Sequence, residues 1–258
     1  DGIGKQTALS LSGKDSLVII HGRSESKCRQ TVDEILTLKP DAEVEFVTAD
    51  LSLMKNVRSL ADDLKRRYDH LDVLLNNAGV FMNHHEMTTE GFEMTFAVNH
   101  LAPFHLTNEL LPLLKATPAS RIVTVSSIAH RNGRNVLADL NSKRSFSGYS
   151  VYASSKLMNV LFTIELAERL NGTGITANCL HPGVVGTKLL KTGFNGMNGS
   201  DSLEAGAETS VYLSTSTEVE GVTGKYFVRK KISPVSAAAD DESVRKQLWE
   251  MSDEFCRM

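Results

Sequence analysis

Short apolar segments alternate with longer amphipathic segments along most of the chain. Apolar runs bounded by turn residues predict strands at 16–21, 44–48, 73–76, 121–126, 175–181 and 225–228. Stretches with apolar residues at helical spacing predict helices at 5–11, 24–38, 52–68, 88–114 and 152–170. Because the strands are apolar on both faces, they are typical of a sheet that helices cover on both sides.

The alternating order of strands and helices predicts an α/β fold. Right-handed crossovers join such strands into a doubly wound parallel sheet of the Rossmann type, with ligands beyond the carboxyl ends of the strands. Neither a linker nor a low-complexity segment interrupts the pattern, and the strand–helix unit is its only repeat. Residues 1–258 are therefore predicted to form one domain.

The beginning of the chain departs from this pattern. A glycine-spaced turn, Asp1-Gly2-Ile3-Gly4, opens the sequence, although such a turn follows a strand in α/β proteins. We therefore expect the first strand and the start of its glycine loop to be missing from this chain. Glycines ahead of a helix let its free N–H groups approach a pyrophosphate, so Gly2, Ile3 and Gly4 are predicted to contact a dinucleotide; alone, they indicate only a turn.

Composition and charge narrow the class of protein. The chain is 41% hydrophobic and 23% charged, as expected of a globular domain, and its net charge of −3 provides no basic surplus for nucleic acid. Its three cysteines form no Cys-x-x-Cys pair, which indicates a reducing compartment and, with no membrane-length apolar run, a cytoplasmic location. The histidines show no metal-binding spacing, so no metal site is predicted.

The end of the first visible strand bears on the choice of cofactor. Folds that prefer NAD place an acid there for the ribose 2′-hydroxyl, whereas an arginine suits the 2′-phosphate of NADP. No acid occurs from Leu17 to Ser24, and Arg23 follows the strand. The sequence therefore predicts NADP(H). The alternative is a solvated Arg23 paired with Glu25.

Two further motifs carry candidate chemistry. Asn77, Ala78 and Gly79 follow the strand at 73–76 and suit a backbone that passes close to a flat ligand, or a plain turn. Tyr152 and Lys156 share one face of a predicted helix. A cation beside a phenol lowers the tyrosine pKa from about 10, which allows acid–base work near neutral pH. Alone, this pair occurs by chance in many helices.

Taken together and in this order, the motifs resemble those of the short-chain dehydrogenase/reductase family. The set comprises Gly2-x-Gly4, Asp50-Leu51, Asn76-Asn77-Ala78-Gly79, Asn99, Ser127, Tyr152-x-x-x-Lys156 and Pro182-Gly183. The resemblance covers essentially the whole chain. It is strongest for the retinol-dehydrogenase-like branch, since 25 residues separate Ser127 from Tyr152, whereas the commoner family pattern has a shorter spacer.

The resemblance implies a role for each position. Tyr152 would transfer a proton to or from the substrate oxygen, and Lys156 would hold the nicotinamide ribose and lower the Tyr152 pKa. Ser127 would hydrogen-bond the carbonyl, and Asn99 would anchor a proton-relay water. The cofactor-binding residues predicted from the patterns and the resemblance together are Gly2, Ile3, Gly4, Arg23, Asp50, Leu51, Asn77, Ala78, Gly79, Tyr152, Lys156, Pro182, Gly183, Val185 and Thr187.

These inferences predict an NADP(H)-dependent oxidoreductase that interconverts an alcohol and an aldehyde or ketone. The alternative is a catalytically silent NADP-binding sensor or scaffold, which has no need of all four catalytic positions.

The segment 187–202 mixes glycines with apolar residues and predicts a lid over an apolar substrate, such as a retinoid, steroid or lipid-like carbonyl compound. A small-molecule partner is expected and nucleic acid is not; a homodimer and a membrane contact stay open. The apolar lid residues are Leu189, Leu190, Phe194 and Met197.

A cysteine and a basic segment outside these motifs also have expected locations. Cys179 lies within an apolar strand and is predicted to fill the core. The spacer between Ser127 and Tyr152 is basic and is predicted to be a solvated loop, with steering of an anionic substrate or contact with a membrane surface as alternatives. Its basic residues are His130, Arg131, Arg134, Lys143 and Arg144.

Overall fold

The computed structural model describes residues 1–13, 15–134, 137–194 and 196–257 and shows alternating strands and helices. The strands are β1 (Leu17–Gly22), β2 (Glu43–Thr48), β3 (Val73–Asn76), β4 (Arg121–Val125), β5 (Thr176–His181), β6 (Tyr226–Val228) and β7 (Lys231–Ile232). The helices are α1 (Gly2–Leu11), α2 (Glu25–Leu38), α3 (Met54–Arg67), α4 (Met94–Phe96), α5 (Ala102–Lys115), α6 (Gly148–Arg169), α7 (Lys188–Gly193), α8 (Leu203–Thr215), α9 (Ala237–Asp240) and α10 (Glu242–Arg257). A π-helical segment, Ala97–Leu101, joins α4 to α5, and 3₁₀ turns occupy Ile128–Asn132 and Thr217–Val219.

The strands form a predominantly parallel arrangement in two pieces. β1 pairs with β2, and β3, β4, β5 and β6 pair in that order, all in parallel, before β7 adds an antiparallel edge. Within the described part of the chain no hydrogen-bonded ladder joins β1 to β3. The predicted Rossmann-type α/β class is confirmed, and its sheet is divided between these two strands. The expected strand ahead of Asp1 stays a prediction.

Alternate residues of the central strands pack on opposite faces of the sheet, as pleating requires. Ile122 and Cys179 face a core shared with α3, α5, α6 and α10, whereas Val123 and Leu180 face the layer that contains α8. This burial on both faces explains why the strands are continuous apolar runs in the sequence. The prediction that Cys179 fills the core is confirmed.

Several element boundaries differ from the predicted ones. The helix expected from 88 begins only at Met94, because Gly91 adopts φ +84° in a turn that a bridge between Met87 and Glu93 closes. The helix expected from Tyr152 begins at Gly148 instead. Residues 2–4, expected in a turn, form the first turn of α1, and helices α7 to α10 lie outside the predicted elements. None of the described helices is both long enough and apolar enough to cross a bilayer.

Candidate active site

Helix α6 carries Tyr152 and Lys156 on its buried face. Ser147 caps the helix by accepting a hydrogen bond from Ser150 N, so that Tyr152 stands in the second turn with Lys156 one turn later. Lys156 is 3% exposed, and its Nζ donates to the Val125 carbonyl at 3.0 Å. The same Nζ lies 5.7 Å from the centre of the Tyr152 ring. The structure thus brings the predicted pair together at the carboxyl end of β4.

Burial dominates the electrostatics of this pair. It raises the pKa of Tyr152 to about 12, an increase that the neighbouring Ser127 hydroxyl opposes, and it lowers the pKa of Lys156 to about 8. The lowering of the Tyr152 pKa by Lys156 that the resemblance implies stays a prediction. In this structure burial has the larger effect on the phenol, and the Lys156 ammonium group donates to the Val125 carbonyl.

The two consecutive serines after β4 make different contacts. Ser126 is buried, and its hydroxyl donates to the Lys156 carbonyl at 2.7 Å, which fastens α6 to β4. Ser127 is half-buried beside Tyr152, and its Oγ accepts the N–H of Ala129 at 3.2 Å. Because that bond uses only a lone pair, the Ser127 hydroxyl hydrogen is available to the Tyr152 phenol, or to a ligand oxygen in its place. The serine predicted to be catalytic is the one that faces the tyrosine.

Asn99 is fully buried in the π-helical segment. Its Nδ2 donates to the Val80 carbonyl at 3.0 Å and to Ser155 Oγ at 2.9 Å, and its Oδ1 accepts the Val80 N–H at 2.8 Å. Asn99 therefore connects α6 to the loop after β3. The π-helix, a rare form that is frequent at functional sites, was not predicted, since its apolar spacing matches that of an ordinary helix over so short a segment.

The glycines predicted to approach a cofactor lie where a side chain would meet functional groups. A Cβ on Gly4 would lie 2.5 Å from Asn77 Nδ2. A Cβ on Gly79 would lie 3.4 Å from both Asn99 Oδ1 and Lys156 Nζ. Bare backbone at Gly79 leaves the space beside Asn99 and Lys156 open to a flat ligand, and bare backbone at Gly4 does the same beside Asn77.

The first turn of α1 meets the loop after β5. Gly2 adopts φ +62°, and a Cβ there would lie 3.5 Å from Thr187 Cγ2. Ile3 and Val185 both approach Gly206 of α8, where a Cβ would lie 3.3 Å from Ile3 Cγ1 and 2.6 Å from Val185 Cγ2. The predicted positions Pro182 and Gly183 begin this loop, and Ala78 is exposed between Asn77 and Gly79.

Arg23 and Asp50 form a second group at the carboxyl ends of β1 and β2. Arg23 is exposed, and Leu51 is half-buried against the core. Burial raises the pKa of Asp50, but the hydrogen bonds from Ser52 and the charge of Arg23 outweigh it and lower the pKa. Among the described residues, no hydrogen bond or ion pair links Arg23 or Asp50 to α1.

Aromatic rings cover the Tyr152 phenol, which leaves this residue 6% exposed. The ring centres of Phe81 and Phe194 lie 5.3 and 5.9 Å from that of Tyr152 and 5.3 Å from each other. Leu189 packs on the same cluster. Phe194 belongs to the predicted lid, whereas Phe81 was not predicted; its only signal is its place two residues after the Asn77–Gly79 motif.

The rest of the predicted lid and the basic spacer divide between buried and exposed positions. Leu190 is buried and Met197 is 50% exposed; Asn195, also in the lid, lies outside the described residues. His130 is 0% exposed, so its predicted place in a solvated loop is wrong, because the 3₁₀ turn after Ser127 directs it into the protein. The exposed basic residues of the spacer are Arg131, Arg134, Lys143 and Arg144.

Within the described ranges, no three His, Cys, Asp or Glu side chains come together as metal ligands.

Comparison with known proteins agrees with this geometry. The family model for short chain dehydrogenases matches residues 1–197. The chain therefore belongs to the short-chain dehydrogenase family of oxidoreductases.

Individual relatives refine the comparison. Human retinol dehydrogenase 14 is 39% identical over 98% of this chain and 82% of its own length. Human retinol dehydrogenase 13 is 40% identical over 96% of this chain and 79% of its own length.

Solved structures show the same fold. An uncharacterized protein from Mycobacterium paratuberculosis superposes with a TM-score of 0.82, with 31% identity over 100% of this chain and 90% of that one. A short chain dehydrogenase from Escherichia coli CFT073, complexed with NADPH, superposes with a TM-score of 0.71, with 25% identity over 90% of this chain and 93% of that one.

Proposed function

We propose that this chain is an NADP(H)-dependent oxidoreductase that interconverts an alcohol and an aldehyde or ketone on an apolar substrate. The observation that carries the proposal is the convergence of Tyr152, Ser127 and Lys156 beneath an aromatic cover and beside the bare backbone of Gly79. The names of the retinol dehydrogenase relatives support an alcohol–carbonyl reaction. The NADPH-bound E. coli structure supports the choice of cofactor.

The residues present fit a dinucleotide. The first turn of α1 has unpaired backbone N–H groups suited to a pyrophosphate, and Gly4 and Gly79 leave room for close approach. When bound, the nicotinamide gives or takes the hydride. Lys156 would hold the nicotinamide ribose and Arg23 the 2′-phosphate. The other positions that would border the cofactor are Gly2, Ile3, Asp50, Leu51, Asn77, Ala78, Tyr152, Pro182, Gly183, Val185 and Thr187.

The raised pKa of Tyr152 bears on the proton chemistry. With a pKa of about 12 the phenol keeps its proton at neutral pH, so it is ready to donate that proton to a carbonyl oxygen that becomes an alcohol. The Ser127 hydroxyl, already oriented by Ala129, donates a hydrogen bond to the same oxygen. In the direction of oxidation the same group, as the phenolate, accepts the proton of the alcohol.

The aromatic cover bears on the substrate. Phe81, Phe194 and Leu189 present apolar surface directly over the phenol, so a carbonyl group that reaches Tyr152 carries its adjoining carbons against these side chains. Burying apolar surface stabilises a complex by about 25 cal/mol per Å². An apolar chain or ring next to the carbonyl therefore suits the site better than a charged one.

The test is NADPH oxidation by the purified protein with aldehydes and ketones of increasing chain length. We expect turnover that grows more efficient with apolar chain length, and loss of turnover in Tyr152→Phe, which retains the ring but lacks the proton. If NADPH binds, and no compound in the series is turned over faster by the wild type than by Tyr152→Phe, the silent sensor or scaffold would replace this proposal.

A further inference from the structure

His130 lies between the candidate catalytic serine and the C-terminal part of the chain. Its Nδ1 is 2.8 Å from the Ser127 carbonyl oxygen, and the backbone N–H of Ser236 donates to its Nε2 at 3.3 Å. Because a backbone N–H can only donate, Nε2 is the unprotonated nitrogen, and Nδ1 carries the hydrogen that the Ser127 carbonyl accepts. One neutral tautomer satisfies both neighbours.

The surroundings of His130 favour this neutral form. The residue is 0% exposed, and the edge of its ring meets Tyr226 with ring centres 4.7 Å apart. Burial lowers the pKa of His130, and although its bond to Ser127 opposes the shift, the nearby Arg131 adds to it. The shift acts in the same direction as the geometry, in which the N–H on Nδ1 donates to the Ser127 carbonyl and Nε2 accepts from Ser236.

The hydrogen bonds from His130 hold the backbone of Ser127 firmly. The Ser127 carbonyl accepts both the backbone N–H of His130 at 3.1 Å and its ring N–H at 2.8 Å. The next residue, Arg131, donates to the Pro234 carbonyl at 2.9 Å, a second link from this turn to the segment before α9. Ser127 thus sits on a turn anchored to a distant part of the chain.

We infer that His130 is a positioning residue for Ser127. By fixing the Ser127 carbonyl and joining its turn to Ser236, it holds the Ser127 hydroxyl aimed at the substrate oxygen, without touching substrate or cofactor itself. The inference rests on the proposed function, in which Ser127 hydrogen-bonds the carbonyl. A misplacement of a reacting group by about 1 Å can cost on the order of a hundredfold in rate.

Three substitutions separate the two hydrogen bonds of the ring. His130→Asn places an amide N–H near the position of Nδ1, so it keeps the donor to Ser127 and loses the acceptor for Ser236. His130→Gln places its amide near the position of Nε2, so it keeps an acceptor for Ser236 and loses the donor to Ser127. His130→Phe keeps a planar ring and loses both.

We expect kcat of His130→Asn to stay within about threefold of the wild type, and kcat of His130→Gln and His130→Phe to fall at least about tenfold. KM and the NADPH dissociation constant should change by less than about twofold, since no contact with either ligand is removed. The melting temperatures of the Asn and Gln variants should be lowered by similar amounts. Equal kcat for these two variants, or losses that follow melting temperature, would show a merely structural role.

A readout independent of activity is the ring tautomer of His130, measured by ¹⁵N NMR of the wild type. Hydrogen on Nδ1 agrees with the inference, and hydrogen on Nε2 would overturn it while leaving the proposed function intact. A wild type without turnover on any carbonyl compound would overturn the proposed function and this inference with it. An active wild type with an unimpaired His130→Gln variant would overturn the inference alone.

Discussion

The two pieces of the sheet, β1–β2 and β3–β7, differ in the solvent exposure of their strands. In β1 and β2 most positions are exposed or half-buried, and the residues at their carboxyl ends, Arg23 and Asp50, remain in contact with solvent. In β4 and β5 nearly every position is buried, and the side chains proposed for proton chemistry gather beyond them. The groups that would select the cofactor and those that would move the proton therefore stand in different dielectric environments.

Burial of polar groups on β4, β5 and α6 lowers the stability of the protein. The Lys156 ammonium is buried with a carbonyl as its hydrogen-bond partner, and burial lowers the pKa of His181 to about 4. Within the described residues, Thr124 Oγ1, Asn159 Oδ1 and His181 Nδ1 in this region are buried without hydrogen bonds. Buried polar groups without hydrogen bonds destabilise a protein, so the strands next to the candidate catalytic residues carry an energetic cost that β1 and β2 do not carry to the same degree.

The largest expected effect is a difference in kcat between substitutions of Ser127 and Ser126, the two serines that follow β4. Ser127→Ala should lower kcat by about a hundredfold to a thousandfold, because it removes a donor to the substrate oxygen. Ser126→Ala, the matched control, should lower kcat by less than about tenfold, because Ser126 only fastens α6 to β4. Steady-state kinetics with one aldehyde decide the matter. The opposite order would place the substrate on the other serine.

In the more exposed piece of the sheet, β1 and β2, the expected effect is on the preference between NADPH and NADH. Arg23→Asp should reverse a preference for NADPH over NADH of roughly tenfold to a hundredfold, because the arginine would pair with the 2′-phosphate. Since Arg23 is exposed, the melting temperature should stay unchanged. Arg29→Asp makes the same charge change on an exposed face of α2 and should leave the preference as it is. Equal kinetics of the wild type with NADH and NADPH would contradict the prediction.

The cost of burial itself is measurable. Lys156→Met should abolish most activity and yet raise the free energy of unfolding at pH 7 by about 1–3 kcal/mol, because a buried charge is replaced by an apolar chain of similar length. Lys65→Met on α3, whose lysine is ion-paired to Asp62 and Glu109, should change stability by less than about 1 kcal/mol. Denaturant unfolding of both variants measures the difference.

The pH dependence of that gain follows from the lowered pKa. Lys156 has a pKa of about 8 in the folded protein, against an ordinary value of 10.5. Between these values the unfolded chain binds more protons, so the stability of the wild type rises with pH there. The advantage of Lys156→Met should therefore be complete below pH 8 and shrink towards pH 10.5. An advantage that grows over this range would show that Lys156 is not penalised by burial.

The smallest expected effect is on KM, when a ring of the aromatic cover over Tyr152 is removed. Phe194→Ala should raise KM for long apolar aldehydes by about threefold to tenfold, with NADPH affinity nearly unchanged, because it removes apolar contact with the substrate. Met197→Ala, at a half-exposed position of the same segment, serves as the control and should have little effect. An unchanged KM across a series of chain lengths would show that the lid does not touch the substrate.

Much of the candidate site could be predicted from local sequence. Tyr152 and Lys156 share a helix face because they are one turn apart, and Asn77 to Gly79 follow β3 because a polar, glycine-containing motif ends an apolar run. The element boundaries were less certain. Gly91 moved the start of one helix to Met94, and the Ser147 cap moved another to Gly148.

Amino-acid order by itself determined the α/β class, the parallel strands and the residues that gather beyond the carboxyl ends of the strands, since apolar periodicity and short motifs are properties of neighbouring residues. Only the tertiary structure decided that Phe81 covers Tyr152, that His130 is buried beneath Ser127, and that the pKa of Tyr152 rises. These features depend on which distant residues exclude water from a given atom. Burial of that kind is set by the packing of the whole chain, which no local pattern records.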